Sequence, residues 1–136
     1  MTTRVQGEPV DAIRPALVAL LGDEDPVPRI ATHKWPKDWS LADKRPLVLV
    51  ADDGGPVDWP VKSEHTIRIT VGSDDIPTSR RIARKCLGHI LANLPEGLAA
   101  IRNNGPTSLT DAQHSETGAD LATGTVPVVI RTETIA

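Results

Sequence analysis

The chain has 136 residues with neither Phe nor Tyr, enough for one domain, and its core must be built from Val, Ile, Leu and Ala at about 1.5–3 kcal/mol per buried large side chain. A net charge of −3, from 15 basic and 18 acidic residues, argues against a polyanion-binding surface, and the lone Cys86 excludes an internal disulfide and a cysteine metal knuckle. The longest apolar run, residues 16–21, has six residues, far short of the ~20 that span a bilayer, so the chain is expected to contact no membrane and to stay in the cytosol where it is made.

Val10, Ile13, Leu17, Val18, Leu20 and Leu21 fall at helical spacing before Gly22 and predict a helix over residues 9–21. Pro15 inside that pattern removes a backbone donor, so the regular helix is expected to begin near Ile13 or Arg14. Strands follow within residues 27–71. Residues 27–33 read as an edge strand because Pro28 cannot donate to a ladder. Residues 34–45, with Trp35 and Trp39, read as irregular. Leu47, Val48, Leu49, Val50 and Ala51 form an uninterrupted apolar run, which suits a central strand buried on both faces. Asp52, Asp53, Gly54, Gly55 and Pro56 then signal a tight turn. Residues 65–71 alternate, with Ile67, Ile69 and Val71 on one face and Thr66, Arg68 and Thr70 on the other, as in a half-buried strand.

A second helix is expected over residues 79–94, capped by Thr78 or Ser79, with Ile82, Cys86, Ile90 and Leu94 beside Ala83, Leu87 and Leu91 as its apolar stripe. Residues 98–102 read as a strand, and residues 126–133 as the last one. Between them residues 103–125 are polar, with only Leu109 and Leu121 as large apolar residues. A loop longer than ~12–15 residues is unusual in a compact domain unless it has a function, so this segment reads as an arm. The fold class is α+β: a single mixed, mostly antiparallel sheet packed by two helices, with a long polar arm before the last strand.

No catalytic motif stands out. There is no GxSxG elbow, and Ser79 has no local base. His33, His65, His89 and His114 are scattered without metal-ligand spacing, so no metal and no cofactor is expected. Asp52 and Asp53 at a strand end can in principle hold Mg²⁺ or act as acid and base, but Asp-Gly turn chemistry explains them first. Arg80, Arg81, Arg84 and Lys85 in the first turns of the second helix oppose its macrodipole. Either Asp74 and Asp75 compensate, or the carboxylates belong to another subunit. Trp35, Trp39 and Trp59 lie between strands, where indoles either cover a core edge or anchor an interface.

Taken together, the run of residues 46–50, the strand Ile67-Arg68-Ile69-Thr70-Val71-Gly72, the helix within residues 83–94 and the strand of residues 126–131 resemble, in layout, the tail terminator proteins of long-tailed bacteriophages, particularly those of actinobacterial hosts. That resemblance implies a non-enzymatic virion protein of the tail-neck region, made in the host cytoplasm. It implies a ring, typically of six copies, that stops tail-tube polymerisation and presents a surface to head-completion proteins. On this reading Arg80, Arg81 and Arg84 are expected to meet Asp52, Asp53 or Asp58 of the next subunit. The arm, with Asp111 and His114, is expected to touch the tube or line the channel, and deleting residues 107–121 is expected to leave the fold intact. Two other readings remain open: another neck component, such as a head-closure or connector protein, or a small ligand-binding domain or enzyme using Asp52, Asp53 and His65.

Overall fold

A computed structural model describes residues 3–102 and 105–135. Its centre is a pair of long antiparallel strands, β5 (Lys62–Ser73) and β8 (Asp120–Arg131), matched residue for residue along their whole length. Period-two alternation explains the pairing. Ile67, Ile69 and Val71 lie opposite Val126, Gly124 and Ala122 on one face, and a slip of one residue would turn the apolar set to the other side. Strand β3 (Leu47–Asp52) joins β5 antiparallel, and β2 (Arg29–Thr32) joins β3 in parallel as the edge. On the far side β6 (Ala100–Ile101) and β7 (Thr110–Gln113) pair with different stretches of β8, while β4 (Val57–Asp58) folds back on the start of β5. The result is a seven-stranded, mixed, mostly antiparallel sheet. A separate two-stranded ribbon joins β1 (Thr3–Val5) to β9 (Glu133–Ile135).

Two helices, α1 (Pro9–Leu21) and α2 (Ile76–Ala92), cover one face of this sheet and give the expected α+β architecture. Val10, Ile13, Leu17 and Leu21 of α1, and Ile82, Ala83, Cys86, Leu87 and Ile90 of α2, close over Val48, Val50, Ile67, Ile69, Val71, Val126 and Val128. At Gly124 the helix presses on the sheet so closely that a Cβ would lie 2.5 Å from Leu87 Cδ1. Cys86 sits inside this layer, and burial pushes its thiol up to about 12, which removes the thiolate that reactivity needs. A smaller cluster of Trp39, Leu47 and Ala119, with Trp35, Leu41 and Leu121 against it, forms where the loop after β2 folds over the sheet.

Several boundaries differ from the sequence reading. Helix α1 runs straight through Pro15, starting at Pro9 with Glu8 as its cap. Four fully buried side chains on one stripe outweigh the missing hydrogen bond, because tertiary packing supplies most of a helix's stability. Helix α2 starts earlier than expected, capped by Asp75, whose Oδ1 accepts from the Thr78 N–H at 2.6 Å. It ends at Ala92, which leaves Leu94 beyond it, and both Leu91 within the helix and Leu94 are exposed rather than part of the buried stripe. The last strand of the sheet begins at Asp120 rather than Val126 and ends at Arg131, with β9 beyond it.

The segment read as an arm is largely sheet edge. Asn103 and Asn104, its first two residues, lie outside the described residues. Beyond them the Thr107 N–H donates to Thr125 O at 3.0 Å, Leu109 packs against the main core, and β7 pairs with residues 120–123. Residues 120–125 belong to β8 itself. The unpaired edge of a twelve-residue strand offers a row of backbone donors and acceptors, and a polar segment supplies partners for them as well as an apolar one does. Composition therefore missed it.

Candidate assembly surfaces

The basic face of α2 is mostly satisfied from within the chain. Arg80 Nη1 donates to Asp111 Oδ1 at 2.6 Å, and Arg81 Nη1 to Glu24 Oε1 at 2.8 Å. Lys85 Nζ reaches Asp23 at 3.1 Å and Glu24 at 3.4 Å, just past the end of α1. The Arg81 hydrogen bond holds Glu24 below the usual carboxylate range, against the desolvation that pushes it up. Hydrogen bonding to Lys85 lowers Asp23 in the same way and raises Lys85 in return. Asp75 does not neutralise the arginines. It is lowered by its hydrogen bonds from Thr78 as the helix cap. Arg80 and Arg81, expected to face the next subunit, are thus engaged internally, while Arg84 is exposed and in no ion pair among the described residues.

The acidic residues separate into three environments. Asp52 Oδ1 accepts from the Gly54 N–H at 2.8 Å, closing an Asx turn in which Gly54 takes φ +80°. A Cβ at Gly55 would lie 2.4 Å from Glu64 O, so the second glycine is fixed by close approach. Asp53 pairs with Arg68 at 3.5 Å. Asp58 is exposed and unpaired among the described residues.

Asp52 also completes a chain that the sequence concealed. Its Oδ2 lies 2.8 Å from His65 Nδ1, and His65 Nε2 lies 2.7 Å from Ser63 Oγ. The order of groups is that of a hydrolytic triad, but Ser63 is fully buried, and a nucleophile needs a route to substrate. The arrangement ties β3 to β5 and satisfies two buried polar side chains. Asp53, named with Asp52 and His65 in the enzyme reading, is turned to Arg68 instead. Among the described residues no three His, Cys, Asp or Glu side chains cluster as metal ligands, and no helix is long and apolar enough to cross a membrane.

Asp111, although exposed, and His114 are both engaged by side chains of the same chain. Asp111 holds Arg80, and His114 stacks on Trp35 with ring centroids 4.5 Å apart and an interplanar angle of 17°. Trp39 meets Trp35 edge-on at 5.4 Å, and its indole N–H donates to Arg45 O at 2.8 Å. Trp35 and Trp39 therefore cover a core edge.

Trp59 behaves differently, at 56 % exposure. It sits at the tip of the β4–β5 hairpin, closed by Val61 N–H donating to Asp58 O at 2.8 Å, with Val57 at 45 % and Val61 at 54 % exposure beside it. At the opposite end of β5 lies a cleft of about 450 Å³ floored by Trp39, Leu41, Pro46 and Ile82. Lys44 and Asp74 stand on its rim, and among the described residues neither is in an ion pair. The sequence signal for the hairpin was available in Val57-Asp58-Trp59-Pro60-Val61, a Pro turn between apolar residues. No such signal existed for the cleft, whose walls come from three separate stretches of chain. In comparisons with known proteins, the chain matches no protein-family model and no curated protein.

Proposed function

We propose that this chain is a structural virion protein that acts as a phage tail terminator, a ring of six copies on the head-proximal end of the tail tube. The reading rests on the resemblance in layout together with one observation, the unpartnered apolar hairpin tip of Val57, Trp59, Pro60 and Val61. An aliphatic core and internally paired charges leave this tip as a place where association would remove apolar surface from water. Its partners are copies of itself, the tail-tube protein on one side and a head-completion protein on the other. It would be made in the host cytoplasm and carried in the tail-neck region of the virion.

The role needs no catalysis. A ring whose one face matches the tube and whose other face does not will stop growth by geometry alone. Arg84 and Asp58, the unpaired members of the sets read from the sequence, remain the charges best placed for subunit contacts.

The test is tube assembly in solution. Purified protein added to polymerising tail-tube protein should arrest growth, with added density at one tube end in electron micrographs. Unchanged tube lengths and bare ends would overturn the proposal. Binding to connector protein and not to tube would assign the chain to a different neck position.

A further inference from the structure

We infer that the β4–β5 hairpin of one copy inserts into the cleft beside the α2 N-terminus of a second copy, with Trp59 as the anchor. The inference deepens the ring reading and rests on it for closure of the circle. Hairpin and cleft sit at opposite ends of β5, a strand of 12 residues, and so are separated by roughly 36 Å of strand rise at ~3.3 Å per residue. A hairpin cannot fill its own cleft across that distance. It can fill the cleft of a neighbour, and a contact between two different patches is heterologous, the kind that builds rings when its rotation closes.

The chemistry of the two patches matches. The tip offers an indole and two valines, each close to half exposed or more, and the cleft offers the half-buried Leu41 above a buried floor of Trp39, Pro46 and Ile82. An indole seated against an aliphatic side chain over an apolar floor is a favourable anchor in a desolvated pocket. The flanking charges also correspond. Asp58 and Lys62 on the hairpin are in no ion pair among the described residues, and neither are Asp25, Lys44 and Asp74 on the cleft, whose other charges Glu24 and Arg81 pair with each other while Arg45 donates to Val27 O. Docking places an acid and a base from each side at the same contact. One hairpin buries far less than the ~1,200–2,000 Å² of a stable two-body interface. Single contacts are therefore weak, and the assembly gains when each copy uses both its hairpin and its cleft.

Val61 is exposed beside Trp59, so a photoreactive p-benzoylphenylalanine can replace it while the anchor stays in place and the core is undisturbed. Irradiated in full-length protein at about 1 mM, where weak contacts are populated, it should give a ladder of covalent oligomers. The cross-linked peptides should contain residues 24–26, 39–46 or 73–82. Lys44→Glu should lower the yield about five-fold, the size of one exposed charge pair, and Asp58→Lys in the same chain should restore it. Absence of covalent dimer, or cross-links mapping outside the cleft, would overturn the inference. Cleft cross-links in a protein that fails to arrest tubes would keep the hairpin contact and remove the tail reading. Arrested tubes with cross-links elsewhere would do the reverse.

Discussion

The two faces of the sheet are built from the same strands by the same alternation, yet they do different work. Under the helices lie Val48, Val50, Ile67, Ile69, Val71, Val126 and Val128, all fully buried. On the other face Leu47, Leu49, Ala51 and Val129 are buried, but Thr66, Thr123, Thr125 and Pro127 are half-buried and Arg68 is exposed, with the tryptophan loop covering one end through Trp35, which packs against Gly72. An antiparallel sheet tolerates this arrangement because its ladder bonds are satisfied in plane, so one face can meet water. The comparison teaches that stability is concentrated on one side, and that the polar segment before β8 belongs structurally to the sheet rather than to either face.

The largest effect that would break this picture comes from the sheet edge. Deleting residues 107–121 removes Leu109 from the core, all of β7 and the first two residues of β8, so the variant should show no cooperative thermal transition by circular dichroism. A cooperative melt near that of the parent would restore the segment to the status of an arm.

The contrast between faces can be measured directly. Ile69→Ala on the helix-covered face should cost about 2–5 kcal/mol in urea unfolding, whereas Thr66→Val one strand-face away should stay within about 0.5 kcal/mol. Comparable losses at the two sites would mean that the second face is also covered in solution.

A smaller effect tests the Asp52–His65–Ser63 chain as a tie between strands. His65→Leu leaves the buried Ser63 hydroxyl without its imidazole partner and should cost about 1–3 kcal/mol. Adding Ser63→Ala should recover part of that loss, because no polar group is then stranded. If the double variant is as unstable as the sum of its single changes, the hydrogen bonds are not what holds the strands.

The smallest effect concerns the charges beneath α2. Glu24 is held below its ordinary range chiefly by Arg81, so its contribution to stability is present above the ordinary glutamate value of about 4.3 and is lost as pH falls through its lower folded value. Glu24→Gln should lower the melting temperature at neutral pH by an amount equivalent to about 0.5–1 kcal/mol, with a flatter decline on the acid side. Asp23, Asp38 and Asp75 are also lowered, so some acid dependence should persist. An acid limb identical to that of the parent would show that the Arg81 pair contributes nothing.

Much of the architecture was legible in local pattern. The run Leu47 to Ala51 announced a buried strand, the alternation around Ile67 and Ile69 announced β5, and the stripe through Ile82, Cys86 and Ile90 announced α2, since each period is imposed by the geometry of its element. Asp52 and Gly54 were legible as a turn for the same local reason. The partners of Arg80 and Arg81 were not, because Asp111 and Glu24 lie 31 and 57 residues away along the chain, and no local rule connects residues so distant.

What the sequence determined by itself was the apolar periodicity, and with it the helices, the central strands and the face they bury. Tertiary structure alone decided the rest: that polar residues 110–113 become an edge strand, that Ser63 meets His65 and Asp52 in the buried interior, and that Trp39 lines a cleft while Trp59 projects from a hairpin. Hydrophobic burial leaves a signature of period in the chain, whereas hydrogen bonds, ion pairs and concavities depend on where distant segments arrive.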